Sequence, residues 1–307
     1  MNILIISRCP PYPPQFGDRL ILWHLARELK KRGHTLDIVA FSQFDTDADD
    51  APHYDAYFRK IDLIPETPRS PIAYLKRAFL SGTRFPKNAS QAWSPEMWQM
   101  IEKHLSEQTY DVVHVFGGVQ VYEFHHLIAH LPNIIVPYES YSLYLKRLIT
   151  QENTLKHQLM QRMSAHFEHW MFAPYGKTVV LADPDKDELT RLNPVLDVAI
   201  IPNGIDLDFF QPVDRDRPPA TLLFVGNYDY APNIDAALLL ATQIFPTVKA
   251  QIPAAKLILA GKAPPENIKA LANEHIQVTG WVDDIREVYA QATIFVCPLR
   301  IGAGMKN

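Results

Sequence analysis

Asn2-Ile3-Leu4-Ile5-Ile6-Ser7 opens the chain as a continuous apolar strand, a proline-rich loop runs from Cys9 to Gly17, and residues 18–32 read as a helix. Gly33 ends that helix, and residues 35–41 return as a second apolar strand. Asp18 suits the N-cap, while Lys30, Lys31 and Arg32 suit the negative end of the helix dipole. This is a βαβ unit. A helical crossover between two strands makes them parallel, so the stretch predicts a doubly wound α/β sheet that binds ligands beyond the carboxyl ends of its strands.

The same pattern continues with short apolar strands at 111–116, 134–137 and 178–182, and a long helical stretch at about 143–172. From Thr221 the alternation starts again, with strands at 222–225, 256–260, 276–279 and 293–296 separated by helices at about 234–250, 265–273 and 284–290. Such a restart marks a second α/β domain. The turn-rich stretch 201–212 and the charged, proline-containing stretch 214–219 lie between the two. The expected division is 1–202 and 203–307, to within about ten residues.

Composition bounds the function. A chain of 307 residues, 47% hydrophobic and 21% charged, is an ordinary globular one with room for two domains. A formal charge of −4 gives no electrostatic reason to bind nucleic acid. Cys9 and Cys297 each end a predicted strand, far apart in sequence, so neither a disulfide framework nor a metal site is indicated and a reducing cytoplasm fits. The first strand is too short for a signal h-region and no run approaches the roughly 18 apolar residues of a membrane span. Peripheral contact with the inner face of a membrane stays open. His125 and His126 are neighbours in sequence among scattered histidines, and adjacent helical residues do not face one metal, so no metal is expected.

Across the whole chain the order of pieces resembles the GT-B glycosyltransferases of the retaining family-four (group 1) type. The resemblance rests on Pro13-Pro14-Gln15-Phe16-Gly17-Asp18, Asp111-Val112-Val113-His114-Val115, Ile201-Pro202-Asn203-Gly204-Ile205-Asp206 and Phe224-Val225-Gly226-Asn227 with Pro232-Asn233. Leu259-Ala260-Gly261, Val278-Thr279-Gly280-Trp281-Val282 and the stretch 298–307 complete it. The form of 226–233 and of 300–307 is similar to bacterial exopolysaccharide sugar transferases. The resemblance implies two Rossmann-like domains facing a cleft, with a nucleotide-sugar donor in the second and a saccharide or lipid-linked acceptor in the first. It implies retention without metal or other cofactor, the departing diphosphate itself helping to deprotonate the acceptor hydroxyl. The chain departs from the family pattern in three ways. Asn227 and the Pro232-Asn233 neighbourhood stand where the family holds the donor diphosphate with Arg and Lys; Ala303 stands at about the first Glu of the family's Glu-x7-Glu pair; and the second domain of such an enzyme continues past Asn307, so this domain is expected to be incomplete and the chain poorly active by itself. A nucleotide- or glycan-binding protein without turnover, and a nucleotide-sugar epimerase of the same architecture, are the rival readings.

The candidate site residues follow from position and chemistry. Gly17 and Asp18, with Arg19, end the first strand's loop, where they face the donor or merely make a tight strand-to-helix turn. His114 ends an apolar strand; imidazole suits proton transfer, although a histidine there is more often structural. Gly117-Gly118 after it frees the backbone to approach a substrate. Glu139 ends another strand, to accept from a hydroxyl or to complement a helix dipole. Asn203 and Gly204 carry a turn with positive φ at the glycine, or line the cleft. On the donor side stand Gly226, Asn227 and Asn233, the last as a helix cap or a phosphate ligand; the resemblance adds Lys262 and Trp281. Arg300 and Lys306, with the amides of Gly302 to Gly304, form the remaining cationic cradle for a phosphate, or an exposed end. The basic and aromatic segment 143–170 is a packed surface helix by default, or a face toward an anionic membrane.

Overall fold

A computed structural model describes residues 1–14, 16–212, 218–303 and 305. Contacts divide the chain into two compact units, the first built mainly from residues 1–146 and 153–203 and the second mainly from 204–302.

In the first unit, β1 (Asn2–Ser7), α1 (Gly17–Lys31) and β2 (Thr35–Ser42) form the expected βαβ unit. They are followed by β3 (Lys60–Pro65), α2 (Pro71–Phe79), α3 (Pro95–Glu107), β4 (Val112–Phe116), α4 (His125–Ile128), β5 (Asn133–Tyr138), α5 (Tyr141–Gln151), α6 (Leu155–Met171), β6 (Lys177–Val180), α7 (Asp183–Leu192) and β7 (Val198–Ile200). All seven strands are parallel, in the order β3-β2-β1-β4-β5-β6-β7. One face buries Leu4, Ile6, Val113 and Val115 against Trp98 and Ile101 of α3, and the other buries Ile3, Ile5, Ile38 and Phe116 against Leu22 and Ala26 of α1. Strands covered on both faces are apolar at most positions, which is why they read so clearly, although β2 carries the buried Asp37 and β4 carries His114.

The structure differs from the sequence pattern at two helix ends. The 143–172 stretch is two helices, because Thr154 begins a new one, its Oγ1 accepting from the His157 amide at 3.1 Å. The N-cap of α1 is Phe16, without a side-chain bond; Asp18 lies in the first turn, its Oδ1 accepting from the Arg19 amide at 2.9 Å.

In the second unit, β8 (Thr221–Val225), α8 (Ala231–Leu239), α9 (Phe245–Gln251), β9 (Lys256–Ala260), α10 (Glu266–Lys269), β10 (Ile276–Gly280), α11 (Ile285–Tyr289) and β11 (Ile294–Phe295) build a parallel sheet in the order β10-β9-β8-β11. A π-helical turn, Leu240–Ile244, joins α8 to α9. Pro246 sits in the first turn of α9, where its missing N–H would have broken an uninterrupted helix. The strand expected at 293–296 is shorter and not buried. Among the described strands it pairs with β8 alone, and Ile294 and Phe295 are exposed. Leu222, Phe224, Leu257 and Leu259 pack against α8, and Leu223 and Ile258 against Val288 of α11.

Candidate functional site

The strand order locates a rim in each unit. The chain runs outward from β1 through β2 to β3 and then returns to the other side of β1 with β4, so the first topological switch lies between β1 and β4. The second sheet does the same around β8 and β11. Loops beyond the carboxyl ends of those strands border the crevice that such sheets use for ligands.

In the first unit the loop after β1 and the loop after β4 are tied together. The Arg8 amide donates to the Phe116 carbonyl at 3.0 Å, and the Gly117 amide donates to Val136 at 3.1 Å. Gly117 adopts φ 110°, and a Cβ there would stand 2.3 Å from Arg8 Cγ. The Arg8 side chain lies across the glycine and reaches Asp18, with Nε 3.1 Å from Oδ2. Asp18 is thus at the rim as expected, but a cation already faces it. Gly17 is beside it without a positive φ, and a Cβ added there meets nothing within 4 Å. The protein itself does not require glycine at 17.

Arg19 does not face the rim. It is buried, and its guanidinium donates to both Asp47 oxygens at 2.7 and 3.1 Å and to the Tyr12 carbonyl, anchoring the loop after β2. His114 lies in the middle of β4 rather than at its end. Its Nε2 is shut off from solvent without a hydrogen-bond partner among the described residues, its ring meets Phe116 edge to face at 5.3 Å, and burial lowers its pKa to about 4. The neutral imidazole belongs to a half-buried residue within the sheet, two residues short of the rim. Glu139 follows β5 and precedes α5 by two residues, so it is not in the helix's first turn. The loop that carries it is held from beneath. Ser140 Oγ and Ser142 Oγ donate to the buried Glu168 carboxylate at 2.9 and 2.5 Å, and the Ser140 amide donates to Asp185 at 2.8 Å. Tyr138, at φ 67°, sits at the same place, its phenol pushed well above the usual range by burial and then by Cys9 and Asp18. Gly204, in the connection after β7, has no positive φ, contrary to the turn expected there.

In the second unit the carboxyl ends of β8, β9 and β10 meet as a row of glycines. The Gly226 amide donates to Ala260 at 3.0 Å and the Gly261 amide to Gly280 at 3.1 Å. Gly261 has φ 140°, and a Cβ there would stand 1.7 Å from the Gly226 carbonyl oxygen. Two backbones approach as closely as glycine permits. Asn227 and Asn233 are spent on the loop itself. Asn233 is the third residue of α8 rather than its cap, its Nδ2 donates to the Asn227 carbonyl at 2.8 Å, and Asn227 Oδ1 accepts from the Asp229 amide at 3.1 Å. Lys262 follows Gly261, its Nζ 4.0 Å from Asp229, and Trp281 follows β10, exposed, donating from Nε1 to Asp283 at 3.1 Å. Arg300, expected as a phosphate cation, is instead held by Asp235 of α8 through Nε and Nη2 at 3.1 and 2.5 Å. That bond raises its pKa, and the guanidinium stays charged. Gly302 has φ 122°, as a glycine-dependent turn requires; Gly304 and Lys306 lie outside the described residues.

Arg8 and Asp235 were not anticipated. Arg8 had a signal, a cation directly after the first strand; Asp235 had none, since its partner is 65 residues away. Among the described residues no group of three or more His, Cys, Asp or Glu is placed to hold a metal ion, and no helix is long and apolar enough to cross a membrane.

Known proteins of this shape are numerous. The chain superposes on TarM with a TM-score of 0.59 at 7% identity, covering 96% of this chain and 79% of that one. For the lipopolysaccharide outer core galactosyltransferase WaaB in its apo form the figures are 0.55, 13%, 96% and 73%. For Phytolacca americana UGT2 complexed with UDP-2-fluoro-glucose and pterostilbene they are 0.52, 12%, 96% and 75%. At such identities the likeness is one of fold, the GT-B arrangement of two Rossmann-like domains. No curated protein matches. Residues 219–307 match the family of group 1 glycosyl transferases. Residues 20–209, more than half of the chain, match Glycosyltransferase Family 4, and the chain is a glycosyltransferase belonging to that family.

Proposed function

We propose that this glycosyltransferase moves a sugar from a nucleotide-sugar donor to a saccharide or lipid-linked acceptor with retention, in cell-surface polysaccharide synthesis. The observation that carries the reading is the rim of the second unit, where Gly226 and Gly261 strip side chains from the strand ends and Lys262 follows at once. A backbone so cleared lets a diphosphate approach the sheet, and the ammonium supplies charge. Its pairing with Asp229 is long, 4.0 Å, and exposed on both sides. Such pairs add little stability and yield readily to a phosphate. The UDP-2-fluoro-glucose bound in the UGT2 complex, and the description of WaaB as a lipopolysaccharide outer core galactosyltransferase, agree in kind with this reading.

The first unit offers Asp18, Arg8 and the loop at Glu139 to orient an acceptor hydroxyl. Its imidazole, His114, is neutral and enclosed. Catalysis is then mainly orientation and charge stabilisation, with the departing diphosphate taking the hydroxyl proton and no metal or cofactor engaged. The test is a nucleotide-sugar panel. One donor should raise the unfolding midpoint, since a ligand of the native state stabilises by RT ln(1 + [L]/Kd). The same donor should be consumed by transfer, with the donor's anomeric configuration in the product by NMR. No midpoint shift and no transfer with any nucleotide sugar sinks the donor assignment; an inverted product sinks retention alone.

A further inference from the structure

The rim of the first unit holds a guanidinium that the fold leaves short of acceptors. Arg69 lies in the loop between β3 and α2, past the carboxyl end of β3. Its guanidinium carbon stands 5.6 Å from the centroid of the Phe41 ring, near the end of β2, and 4.7 Å from that of Trp93. Nη2 donates to the Gln120 carbonyl at 3.2 Å. Nε and Nη1 are shut off from solvent and have no hydrogen-bond partner among the described residues. Buried N–H groups of a charged side chain are ordinarily met, because burial strips their hydration and an absent acceptor returns nothing for it.

The surrounding charges do not supply the missing partner. Glu123 is buried and already engaged, by the Arg77 guanidinium and by the Trp93 amide at 3.0 and 3.2 Å from its two oxygens. Arg77 also donates to the Gln91 carbonyl at 2.8 Å and stands 4.0 Å over the same Trp93 ring. Burial lowers the Arg77 pKa against the pull of Glu123, and the neighbouring Arg69 charge lowers it further. Two guanidinium groups thus share one carboxylate, and the cluster keeps one uncompensated positive charge. The loop that Arg69 bonds to borders the crevice. Gln120 follows Gly117 and Gly118, and a Cβ at Gly118 would stand 2.5 Å from Gln120 Oε1 and 3.4 Å from Arg8 Nη1. Arg8 is matched by Asp18, so the unmatched charge at this loop is that of Arg69.

We infer that Arg69 forms an anion subsite on the acceptor side, and that the acceptor carries a singly charged oxyanion, the carboxylate of an acidic sugar or a phosphodiester. One negative charge neutralises the cluster, whereas a second would be repelled by Glu123 without a cation to offset it. A guanidinium with unmet donors favours an oxyanion over a neutral hydroxyl, since charge-assisted bonds are the stronger. To meet the ligand, Arg69 has to release only its bond to the Gln120 carbonyl. The inference rests on the reading of a saccharide acceptor and adds the charge that acceptor bears. Binding is measured without donor, so the two fail separately.

The test is calorimetry of the full chain against trigalacturonate, its neutral methyl ester and dimethyl phosphate, at constant ionic strength. Trigalacturonate should bind at least about tenfold tighter than the ester if the oxyanion is a carboxylate. Saturable binding of dimethyl phosphate, with trigalacturonate no tighter than its ester, assigns it to a phosphodiester instead. Arg69→Gln should abolish either preference while keeping the urea midpoint, because an unmatched buried charge adds no stability. Arg69→Lys should keep part of it, as a point charge without the planar fork. In protein labelled with fluorotryptophan, the fluorine resonance of Trp93, assigned by Trp93→Phe, should move with the bound anion and stay put with the ester. If neither anion binds more tightly than the ester, the proposal is overturned; a preference that Arg69→Gln retains overturns it as well. Should the Arg69 variants not fold, a Trp93 resonance that ignores both anions in wild type has the same force. Absence of transfer from any nucleotide sugar, with the anion preference intact, counts against the proposed function and leaves the subsite standing.

Discussion

Replacing Glu168 by Gln should change how stability depends on pH, by an amount the structure sets. Glu168 is buried on α6 and accepts from Ser140 Oγ, Ser142 Oγ and the Ser142 amide, the last at 3.2 Å. Burial outweighs those bonds and raises its pKa from 4.5 to about 7. A folded pKa above the unfolded one means that the native state binds the proton more tightly. Protonation therefore stabilises the fold fully below pH 4.5, and the gain is lost as pH rises through about 7. The displacement corresponds to roughly 3 kcal/mol. His114 works in the opposite sense: burial lowers it from 6.5 to about 4, so the fold pays to keep it neutral as pH falls through that window. Across pH 4.5 to 7 these two groups largely oppose one another, so the test compares variant with wild type rather than reading the wild-type profile alone. Gln keeps the shape and an acceptor for the serines but has no proton to release. The stability of Glu168→Gln minus that of wild type, from urea melts, should therefore rise by about 3 kcal/mol between about pH 4.5 and pH 8. A difference that stays constant over this range refutes the account of Glu168.

Gly261→Ala should destabilise the second unit by roughly 2–4 kcal/mol, from a φ of 140° and a Cβ 1.7 Å from the Gly226 carbonyl oxygen. An unchanged urea midpoint would show that the two backbones are not so close. Gly226→Ala should cost less, about 1 kcal/mol, because its Cβ meets the movable Asn233 side chain at 2.9–3.1 Å. Gly17→Val should leave stability within about 1 kcal/mol, since nothing lies within 4 Å, yet abolish transfer if a ligand uses that space; full turnover in the folded variant removes Gly17 from the site. Lys262→Ala should weaken donor binding about tenfold to a hundredfold by calorimetry, and equal affinity would remove Lys262 from the donor site.

The sheets were legible because their central strands are largely apolar runs, broken in β2 by Asp37 and in β4 by His114. β1, β2, β4, β5, β8 and β9 stand within one or two residues of where their sequences place them. The missed strands lie at or near sheet edges, where burial does not dictate composition: Lys60–Pro65 carries Lys60 and Asp62, and β7 has three residues. The stretch between β3 and β4 gave no helix because its cations and prolines obscure the period. In the structure Pro71 and Pro95 begin α2 and α3, each capped by the serine before it.

Site chemistry was less legible than fold, since a sequence shows which charges exist but not which are already matched. Arg19 has the neighbourhood of a rim cation and the partners of a core one; only the fold brings Asp47 under it. Arg8 faces Asp18, and Arg300 faces Asp235 with two short bonds. A phosphate arriving at either must displace a carboxylate, and a bidentate guanidinium pair in a fixed fork resists that more than a long ammonium–carboxylate contact does. Lys262 has such a contact, at 4.0 Å, and stands directly after the glycine that clears the backbone. The Asp229 contact is therefore easier to give up than the bidentate Arg300–Asp235 pair, and the donor diphosphate should draw on Lys262 before it takes Arg300 from Asp235.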